Sequence, residues 1–303
     1  MRPTRLKRGT MSGVTRDRLL LDAPSLVYRA FFALPKTIVA PFGQPVNAVR
    51  GFMEMTTRLL IDRKPSGIVA AFDNDWRPSF RVAAFPGYKA ERPDEPEELS
   101  GQFDILARVL DAAGLPRAEA EGLEADDVIA TLVQRKPPEE RAVVVTGDRD
   151  LIGLVRDPDV ALLFTVRGVG QLREFDESAV VKHYGIRPQQ YVEFAMLRGD
   201  PSDGLPGVAG VGPKKAAQLL RDYGSVQATL AHADELTPKL SANLRASGEY
   251  LEAMRTVIPL VVDAEVELTE RRAPDTDELR DLAERYNLGS SAARLAHALG
   301  EKS

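Results

Sequence analysis

Short apolar runs, each followed directly by an acidic residue, constrain the fold of this chain more than any other feature. They are RLLLD (18–22), GIVAAFD (67–73) and AVVVTGDRD (142–150). Their length and apolar character are typical of buried strands, and VALLF (160–164) predicts a fourth. Helical patterns separate them, at 47–62, 101–114 and 124–135. Alternating strands and helices predict a parallel α/β sheet. Ligands of such sheets bind at the carboxyl ends of the strands, where these acids are expected.

Nine acidic side chains stand at such special positions. They are Asp22, Asp73, Glu124, Asp126, Asp127, Asp148, Asp150, Asp200 and Asp203. Taken singly, each is as easily explained as a turn former or a helix cap. Capping requires one residue, however, and the segment EADD (124–127) supplies three. Partly buried carboxylates without partners raise their pKa or destabilise the fold, and divalent cations remove that penalty. A pair of carboxylates would be enough for a glycosidase, so this larger set favours two metal ions acting on a phosphodiester.

Composition narrows the metal chemistry further. The chain has no cysteine and three histidines, so thiolate chemistry and Cys-type zinc sites are excluded. Oxygen ligands favour magnesium, manganese or calcium. The net charge of −5 does not by itself indicate a nucleic-acid partner. Cations bound among clustered acids would nevertheless reverse the local sign of the charge.

The chain is 44% hydrophobic and 28% charged, as expected of a globular protein without membrane spans. Residues 1–17 are basic and predict a flexible leader, and Met11 is an alternative start to Met1. No apolar signal-peptide segment follows them, so we expect a cytoplasmic protein. Nucleoid association and a monomeric state are separate expectations.

The second half of the chain carries a candidate nucleic-acid element. GVAGVGPKKAAQLL (207–220) is similar to a helix-hairpin-helix, with a tight turn at Gly210 to Gly212 and Pro213 at the first helical position. The N-terminus of such a helix binds phosphate, and Lys214 and Lys215 add positive charge. The alternative is an ordinary glycine-containing turn between two helices.

A basic and aromatic segment precedes the second helical pattern. Residues 86–100 are polar and rich in proline, which predicts a mobile loop carrying Tyr88, Lys89 and Arg92. NDWRPSFR (74–81) lies just upstream. The two stretches predict either a patch that grips single-stranded nucleic acid or a solvated loop. Trp76 is interpreted as a packing residue.

Six motifs occur in an order that resembles a known family. They are DAPSLVYRAFFAL, AFDNDWRPSFR, GYKAER, GLEADD, TGDRDL and LRGDPSDGLPGVAGVGPKKA. The same order is found in the 5′-nuclease domain of bacterial DNA polymerase I, a member of the flap endonuclease and 5′→3′ exonuclease family. The resemblance covers roughly residues 18–260. No polymerase segment follows, so the chain is expected to be a stand-alone member.

The resemblance implies a PIN-like α/β nuclease core over 18–175, with a helical arch near 76–103. It implies a helical DNA-binding domain over 176–303, with the helix-hairpin-helix at 205–220. Residues after about 265 carry no family signal. Asp22, Asp73, Glu124 and Asp126 match the ligands of a first metal; Asp148, Asp150, Asp200 and Asp203 match those of a second, with Asp127 between them. The implied cofactors are two Mg²⁺ or Mn²⁺ ions, with a third as an alternative.

The resemblance also implies roles for basic residues and backbone groups. Lys89, Arg92, Arg29 and Arg81 match catalytic cations, and Tyr88, Lys89, Arg92, Gly210, Gly212, Lys214 and Lys215 match DNA contacts. A potassium ion would be held by the carbonyls of Leu197, Arg198, Pro206, Val208 and Val211. Two positions depart from the family pattern: Gly204 stands where relatives commonly have Asn, and Leu123 where they often have Tyr.

The expected function is therefore a structure-selective 5′ nuclease, both flap endonuclease and 5′-3′ exonuclease, in primer removal and repair. Its expected partner is DNA with a 5′ flap, a nick or a junction between single strand and duplex, with RNA primers as a further candidate. Three alternatives remain open: a junction-binding protein without catalysis, a metal-dependent phosphatase and an RNA-directed PIN nuclease.

Overall fold

A seven-stranded mixed sheet forms the centre of the protein. The computed structural model describes residues 16–99, 101–167 and 170–300. The strands are β1 (Arg16–Asp22), β2 (Gly67–Ala71), β3 (Arg117–Glu119), β4 (Glu140–Thr146), β5 (Val160–Arg167), β6 (Gln171–Phe175) and β7 (Glu267–Leu268). Their order in the sheet is β6-β5-β4-β1-β2-β3-β7. Strands β1 to β5 run parallel, and β6 and β7 pair antiparallel at the two edges.

Helices cover both faces of the sheet. They are α1 (Ala23–Ala33), α2 (Asn47–Arg63), α3 (Ser79–Ala84), α4 (Gln102–Ala113), α5 (Ala125–Gln134), α6 (Glu177–Tyr184), α7 (Tyr191–Arg198), α8 (Pro213–Tyr223), α9 (Val226–Ala231), α10 (Pro238–Ala246), α11 (Gly248–Val257), α12 (Thr276–Arg285) and α13 (Ser291–Gly300). No helix in the described part of the chain combines the length and apolar character that crossing a bilayer requires.

The four predicted strands and three predicted helices are confirmed. The apolar runs form β1, β2, β4 and β5, and the helical patterns form α2, α4 and α5. The sequence did not predict β3, β6 or β7. Strands β3 and β7 have only three and two residues, and β6 is largely exposed, so none of them has an apolar run to mark it.

The sheet separates two hydrophobic cores because successive side chains of a strand point to opposite faces. Leu19 and Leu21 of β1 belong to a core with the side chains of α1, α2 and α4. Leu20, between them, belongs to a second core with α5, α7 and α8. The uninterrupted apolar runs of the central strands therefore reflect burial on both faces.

The last two helices, α12 and α13, fall within the predicted domain 176–303 but pack chiefly on helices of the N-terminal half. Helix α13 packs on α2, and α12 packs on α4. Leu279, Leu282 and Leu295 are buried in the same core as β1. The apolar faces of α12 and α13 are thus covered by helices of the N-terminal half.

The described part of the predicted arch, 76–99 and 101–103, contains one complete helix, α3 (Ser79–Ala84), and the start of α4, so the helical arch is not observed. Pro86, Pro93 and Pro96 interrupt helical hydrogen bonding in this stretch. The predicted leader lies outside the described residues, except for Arg16 and Asp17, which already belong to β1.

Candidate active site

The acids that follow the parallel strands lie at one edge of the sheet, as predicted. Asp22 ends β1, Asp73 follows β2, and Asp148 and Asp150 follow β4. Glu124 and Asp126 come from the N-terminus of α5. Most of these residues line a cleft of about 1740 Å³, together with Lys89, Arg92 and Arg29. The parallel sheet thus brings residues more than a hundred positions apart into one cavity.

Local hydrogen bonds fix the acids at the ends of β1, β2 and β4. The Thr146 hydroxyl donates to Asp22 at 2.5 Å and accepts from the backbone N–H of Asp148 at 2.8 Å. The Ala125 N–H donates to Asp73 at 2.7 Å. Thr146 was missed by the sequence analysis, although its position directly before Gly147-Asp148 was a usable signal. Asp22 also caps α1, so its structural role and its proposed ligand role coexist.

Mutual repulsion marks these acids as a single electrostatic cluster. Burial, then the charges of Asp148 and Asp73, raise the pKa of Asp22 to about 7 against the favourable Thr146 bond. Burial raises the pKa of Asp126 well above its usual value, with Asp22 and Asp148 adding to the effect. The pKa of Asp150 is raised in the same way, by burial and then by Asp148, Asp203 and Asp200. Such a cluster gains stability from any cation that enters it.

Three basic side chains compensate the remaining acids. Lys89 pairs with Glu124, Arg92 donates to Asp203 at 2.7 Å, and Arg198 donates to Asp200 at 2.9 Å. Lys89 is 7% exposed, and its backbone N–H donates to the carbonyl of Asp203 at 2.9 Å. The segment that carries Lys89 and Arg92 is therefore tied into the site, contrary to the predicted mobile loop.

Asp127 and Arg81 form a buried ion pair away from the cleft, which differs from both predicted roles. Two 2.7 Å hydrogen bonds join the Arg81 guanidinium to the two Asp127 oxygens, and the Val261 N–H also donates to Asp127. Arg81 further donates to Glu124 at 2.7 Å and to the Val257 carbonyl at 2.9 Å. Asp127 is fully buried and Arg81 is 2% exposed. Both side chains position α5 and Glu124, and neither lines the cleft.

Two aromatic predictions are also corrected. Tyr88 is 5% exposed, and its hydroxyl donates to Glu124 at 2.7 Å, so it is unavailable for stacking on a nucleobase in this conformation. Burial and the Glu124 charge raise the pKa of Tyr88. Trp76, interpreted as a packing residue, is 49% exposed and lines the cleft. Aromatic character alone does not reveal which ring faces the core.

Arg29 lies where the prediction placed it, in the cleft beside the end of β4. Its guanidinium packs against Gly147, where a Cβ would lie 2.4 Å from Nη2. Its Nε is buried without a hydrogen-bond partner among the described residues. A buried donor of this kind is satisfied when an anionic group enters the cleft.

The carboxylates of these acids are suitable ligands for divalent ions, although several of them form hydrogen bonds to other protein groups. Within the described ranges, no three acidic or histidine side chains stand close enough together to grip one ion. Four of the acids already accept hydrogen bonds: Asp22 from Thr146, Asp73 from Ala125, Asp200 from Arg198 and Asp203 from Arg92. An ion bound by Glu124 and Asp203 would compete with Lys89 and Arg92 for these carboxylates. The atoms with which these acids could bind a metal are all oxygens, which suits magnesium or manganese.

Comparison with known proteins decides the family. Residues 17–185 match the 5′-3′ exonuclease N-terminal resolvase-like domain, and residues 186–278 match the 5′-3′ exonuclease C-terminal SAM fold.

The chain belongs to the 5′-3′ exonuclease family.

Relatives from this family match over nearly the whole chain. A 5′-3′ exonuclease of Streptomyces coelicolor is 42% identical, over 93% of this chain and 99% of its own length. A 5′-3′ exonuclease of Mycobacterium tuberculosis is 40% identical, over 93% of this chain and 97% of its own. DNA polymerase I of Mycobacterium bovis is 43% identical over 89% of this chain but 30% of its own length. The predicted resemblance to a stand-alone member is thereby confirmed.

Solved structures share the fold. The bacteriophage T5 D15 protein, co-crystallised with metal ions, has a TM-score of 0.66 and 21% identity, covering 94% of this chain and all of its own. The catalytic core of Rad2 in complex with DNA substrate has a TM-score of 0.60 and 18% identity, covering 93% of this chain and 90% of its own. These similarities confirm the PIN-like core followed by a helical domain.

The predicted hairpin lies in the second domain that characterises the 5′-3′ exonuclease family. It connects α7 to α8, and Gly210, Gly212, Lys214 and Lys215 are exposed at the N-terminus of α8. The Asn243 amide fixes the turn by donating to the Ala209 carbonyl at 2.7 Å.

The predicted potassium ligands lie at the end of α7 and on the loop that precedes α8, and the backbones of these two stretches are in contact. A Cβ on Gly199 would lie 2.5 Å from the backbone nitrogen of Gly207. The carbonyls of Leu197 and Val208 accept from Val208 and Val211 N–H groups, both at 2.9 Å. A carbonyl oxygen has two lone pairs, so these bonds leave room for a cation. Potassium binding stays a prediction.

Proposed function

We propose that this chain is a divalent-metal-dependent, structure-selective 5′ nuclease that hydrolyses DNA phosphodiesters as flap endonuclease and 5′-3′ exonuclease. One observation carries the proposal: the fold gathers mutually repelling acids and the basic side chains of Arg29, Lys89 and Arg92 into a single cleft. Burial and neighbouring acids raise the pKa values of Asp22, Asp126 and Asp150, and bound cations would offset that penalty. A role in primer removal, flap removal and repair belongs to the same proposal.

Two groups of acids are proposed to hold Mg²⁺ or Mn²⁺. Asp22, Asp73, Glu124 and Asp126 would hold one ion; Asp148, Asp150, Asp200 and Asp203 would hold the other. The ions would supply activation of water and stabilisation of negative charge on the phosphodiester. Asp127 is left out of the set, because Arg81 and Val261 occupy both of its oxygens.

The chain's own cations would bind the scissile phosphate. Lys89 pairs with Glu124 and Arg92 pairs with Asp203, and both acids are proposed metal ligands. Once released, the two side chains lie next to the cleft and can neutralise charge that develops on the phosphate. Arg29 offers its unpartnered Nε from the same cavity. Metal binding and phosphate binding would therefore be coupled through exchange of the same partners.

The hairpin would hold duplex DNA away from the cleft. Exposed backbone N–H groups at the start of α8, together with Lys214 and Lys215, suit phosphate oxygens without reading sequence. A potassium ion on the carbonyls of Leu197, Arg198, Pro206, Val208 and Val211 would support this contact. The proposed partner is DNA with a 5′ flap, a nick or a single-strand/duplex junction, with RNA primers as a further substrate.

The test is cleavage of a labelled 5′-flap DNA by the wild-type chain with Mg²⁺, with EDTA, and by the Asp150→Asn variant with Mg²⁺. We expect cleavage only in the first case, with flap binding retained by the variant. Full activity of Asp150→Asn would contradict the assignment.

The same assay separates the alternatives. Binding without cleavage under every condition would favour a junction-binding protein. Hydrolysis of p-nitrophenyl phosphate with none of flap DNA would favour a phosphatase, and cleavage of an RNA flap alone would favour an RNA-directed nuclease.

A further inference from the structure

Trp76 is a large aromatic side chain that the proposed chemistry does not use. Its side chain is 49% exposed, although indole rings are usually well covered in folded proteins. It lines the same cleft as Asp73, Lys89 and Arg92. It is also the only tryptophan in the chain. An exposed indole at the wall of a charged cleft requires an explanation other than core packing.

The backbone around Trp76 is held on both sides. The N–H groups of Asn74 and Asp75 donate to the Leu123 carbonyl at 3.1 and 3.0 Å. The Asn74 side chain accepts from the Gly122 N–H at 2.8 Å. These bonds fasten the segment before Trp76 to the turn that leads into α5.

The segment after Trp76 is fastened to the stretch that carries Lys89. The Arg77 guanidinium donates to the carbonyls of Tyr88 and Pro86 at 2.7 and 2.8 Å. Lys89 donates from Nζ to the carbonyl of Trp76 at 3.3 Å. The indole is therefore exposed on a rigid backbone, which lowers the entropy lost when a ligand packs against it.

The charge around the cleft indicates what can pack there. Glu91, Asp94 and Glu95 line the cleft beside basic side chains such as Lys89 and Arg92, so its wall repels phosphates as well as attracting them. A nucleobase is an uncharged, flat partner whose stacking on an aromatic ring does not depend on this charge. Only unpaired bases present an open face, because those of a duplex are already stacked.

We propose that Trp76 is a stacking platform for one nucleobase of the unpaired 5′ strand, which makes it a specificity-determining residue. This proposal rests on the proposed function, because it requires a nucleic acid with a single-stranded part in the cleft. Through this contact, Trp76 distinguishes flap or frayed substrates from continuous duplex. The contact is independent of the metal ligands and of the hairpin.

The single tryptophan allows a direct measurement. Flap DNA is titrated into the Asp150→Asn protein with Mg²⁺, and intrinsic fluorescence and DNA anisotropy are recorded together. We expect the tryptophan emission to be quenched as DNA binds, and the quenching curve to have the same midpoint as the anisotropy curve. A flap with abasic sites, which keeps the phosphates but removes the bases, and a duplex without a flap should bind with little quenching.

Substitution provides the second readout. Trp76→Leu in the otherwise wild-type chain is expected to weaken flap affinity on the order of 10-fold, while Trp76→Phe stays close to wild type. Affinity for a duplex without a flap should not change in either variant. Phe42→Leu is the matched control, because Phe42 is 63% exposed but does not line the cleft.

Two results would overturn the inference. One is DNA binding, seen by anisotropy, that leaves tryptophan emission unchanged or quenches it equally with abasic flaps. The other is a Trp76→Leu variant that binds and cleaves flaps as the wild type does. If the wild-type chain neither binds nor cleaves any DNA, the proposed function fails first. Binding and cleavage without these tryptophan effects would reject the stacking role alone.

Discussion

At the residue scale, Asp126 and Asp127 are neighbours in sequence with opposite surroundings. Asp127 is paired with Arg81 in the interior, whereas Asp126 faces other acids across the cleft. Asp127→Ala is expected to lower the free energy of unfolding by about 3–5 kcal/mol, because it removes the carboxylate that accepts two hydrogen bonds from the buried Arg81 guanidinium. Urea unfolding measures this loss.

Asp126→Asn should instead raise the stability of the metal-free protein at pH 8. Burial raises the pKa of Asp126 well above 3.8, so its ionisation at higher pH opposes folding. Asn cannot ionise and removes that penalty, so the melting temperature in EDTA should rise while Mn²⁺ affinity falls. Asp281→Asn, on the exposed surface of α12, is the control. A large loss of stability in Asp126→Asn would contradict the assigned surroundings.

Lys89 is the second residue whose role can be tested by itself. Lys89→Met keeps the apolar stem and removes the charge, so single-turnover cleavage should slow on the order of 100-fold. Flap affinity should change much less, because other cations hold the strand. Lys36→Met, on an exposed pair with Glu98, should leave both quantities unchanged. Equal losses of rate and affinity would assign Lys89 to binding alone.

At the element scale, the turn after α7 determines how closely the Lys89 segment approaches. Gly204 has φ +72°, and a Cβ there would lie 2.5 Å from the Gly87 carbonyl oxygen. Gly204→Ala should therefore push residues 87–89 away from Asp203, lower the melting temperature and slow cleavage.

The contrasting substitution is Gly212→Ala at the hairpin. Gly212 has φ −84°, and a Cβ there would meet no atom within 4 Å, so its melting temperature should stay near that of the wild type. Equal melting temperatures for the two variants would show that the turn at Gly204 tolerates a side chain.

At the scale of the whole molecule, the first strand and the last helix of the described residues share one core. Leu295 of α13 is fully buried with side chains of β1 and α2, and the Ser291 hydroxyl donates to Glu54 at 2.5 Å. Leu295→Ala is expected to cost about 2–5 kcal/mol and to lower the unfolding transition of the N-terminal core.

Leu268→Ala in β7 is the matched control, because Leu268 is 44% exposed and should cost far less. Calorimetry of both variants makes the comparison. A separate, earlier transition for the C-terminal helices with an unchanged main transition would contradict a shared core.

The sequence by itself determined the parallel strands, the helices between them and the edge at which the acids gather. Apolar periodicity is a local property, and the carboxyl ends of parallel strands must meet at one edge. The family resemblance added the family itself, which the matched domains confirm, and the position of the hairpin, which stays a prediction.

Only the tertiary structure decided which acidic side chain pairs with which basic side chain. Arg81 with Asp127, Lys89 with Glu124 and Arg92 with Asp203 are pairs separated by 46, 35 and 111 positions. Neither propensity nor spacing encodes such contacts, because they depend on how α3, α5 and the turn after α7 pack together. The same holds for exposed Trp76, buried Tyr88 and the docking of α12 and α13. Burial is a property of the assembled surface, and a residue's type supplies only its preference.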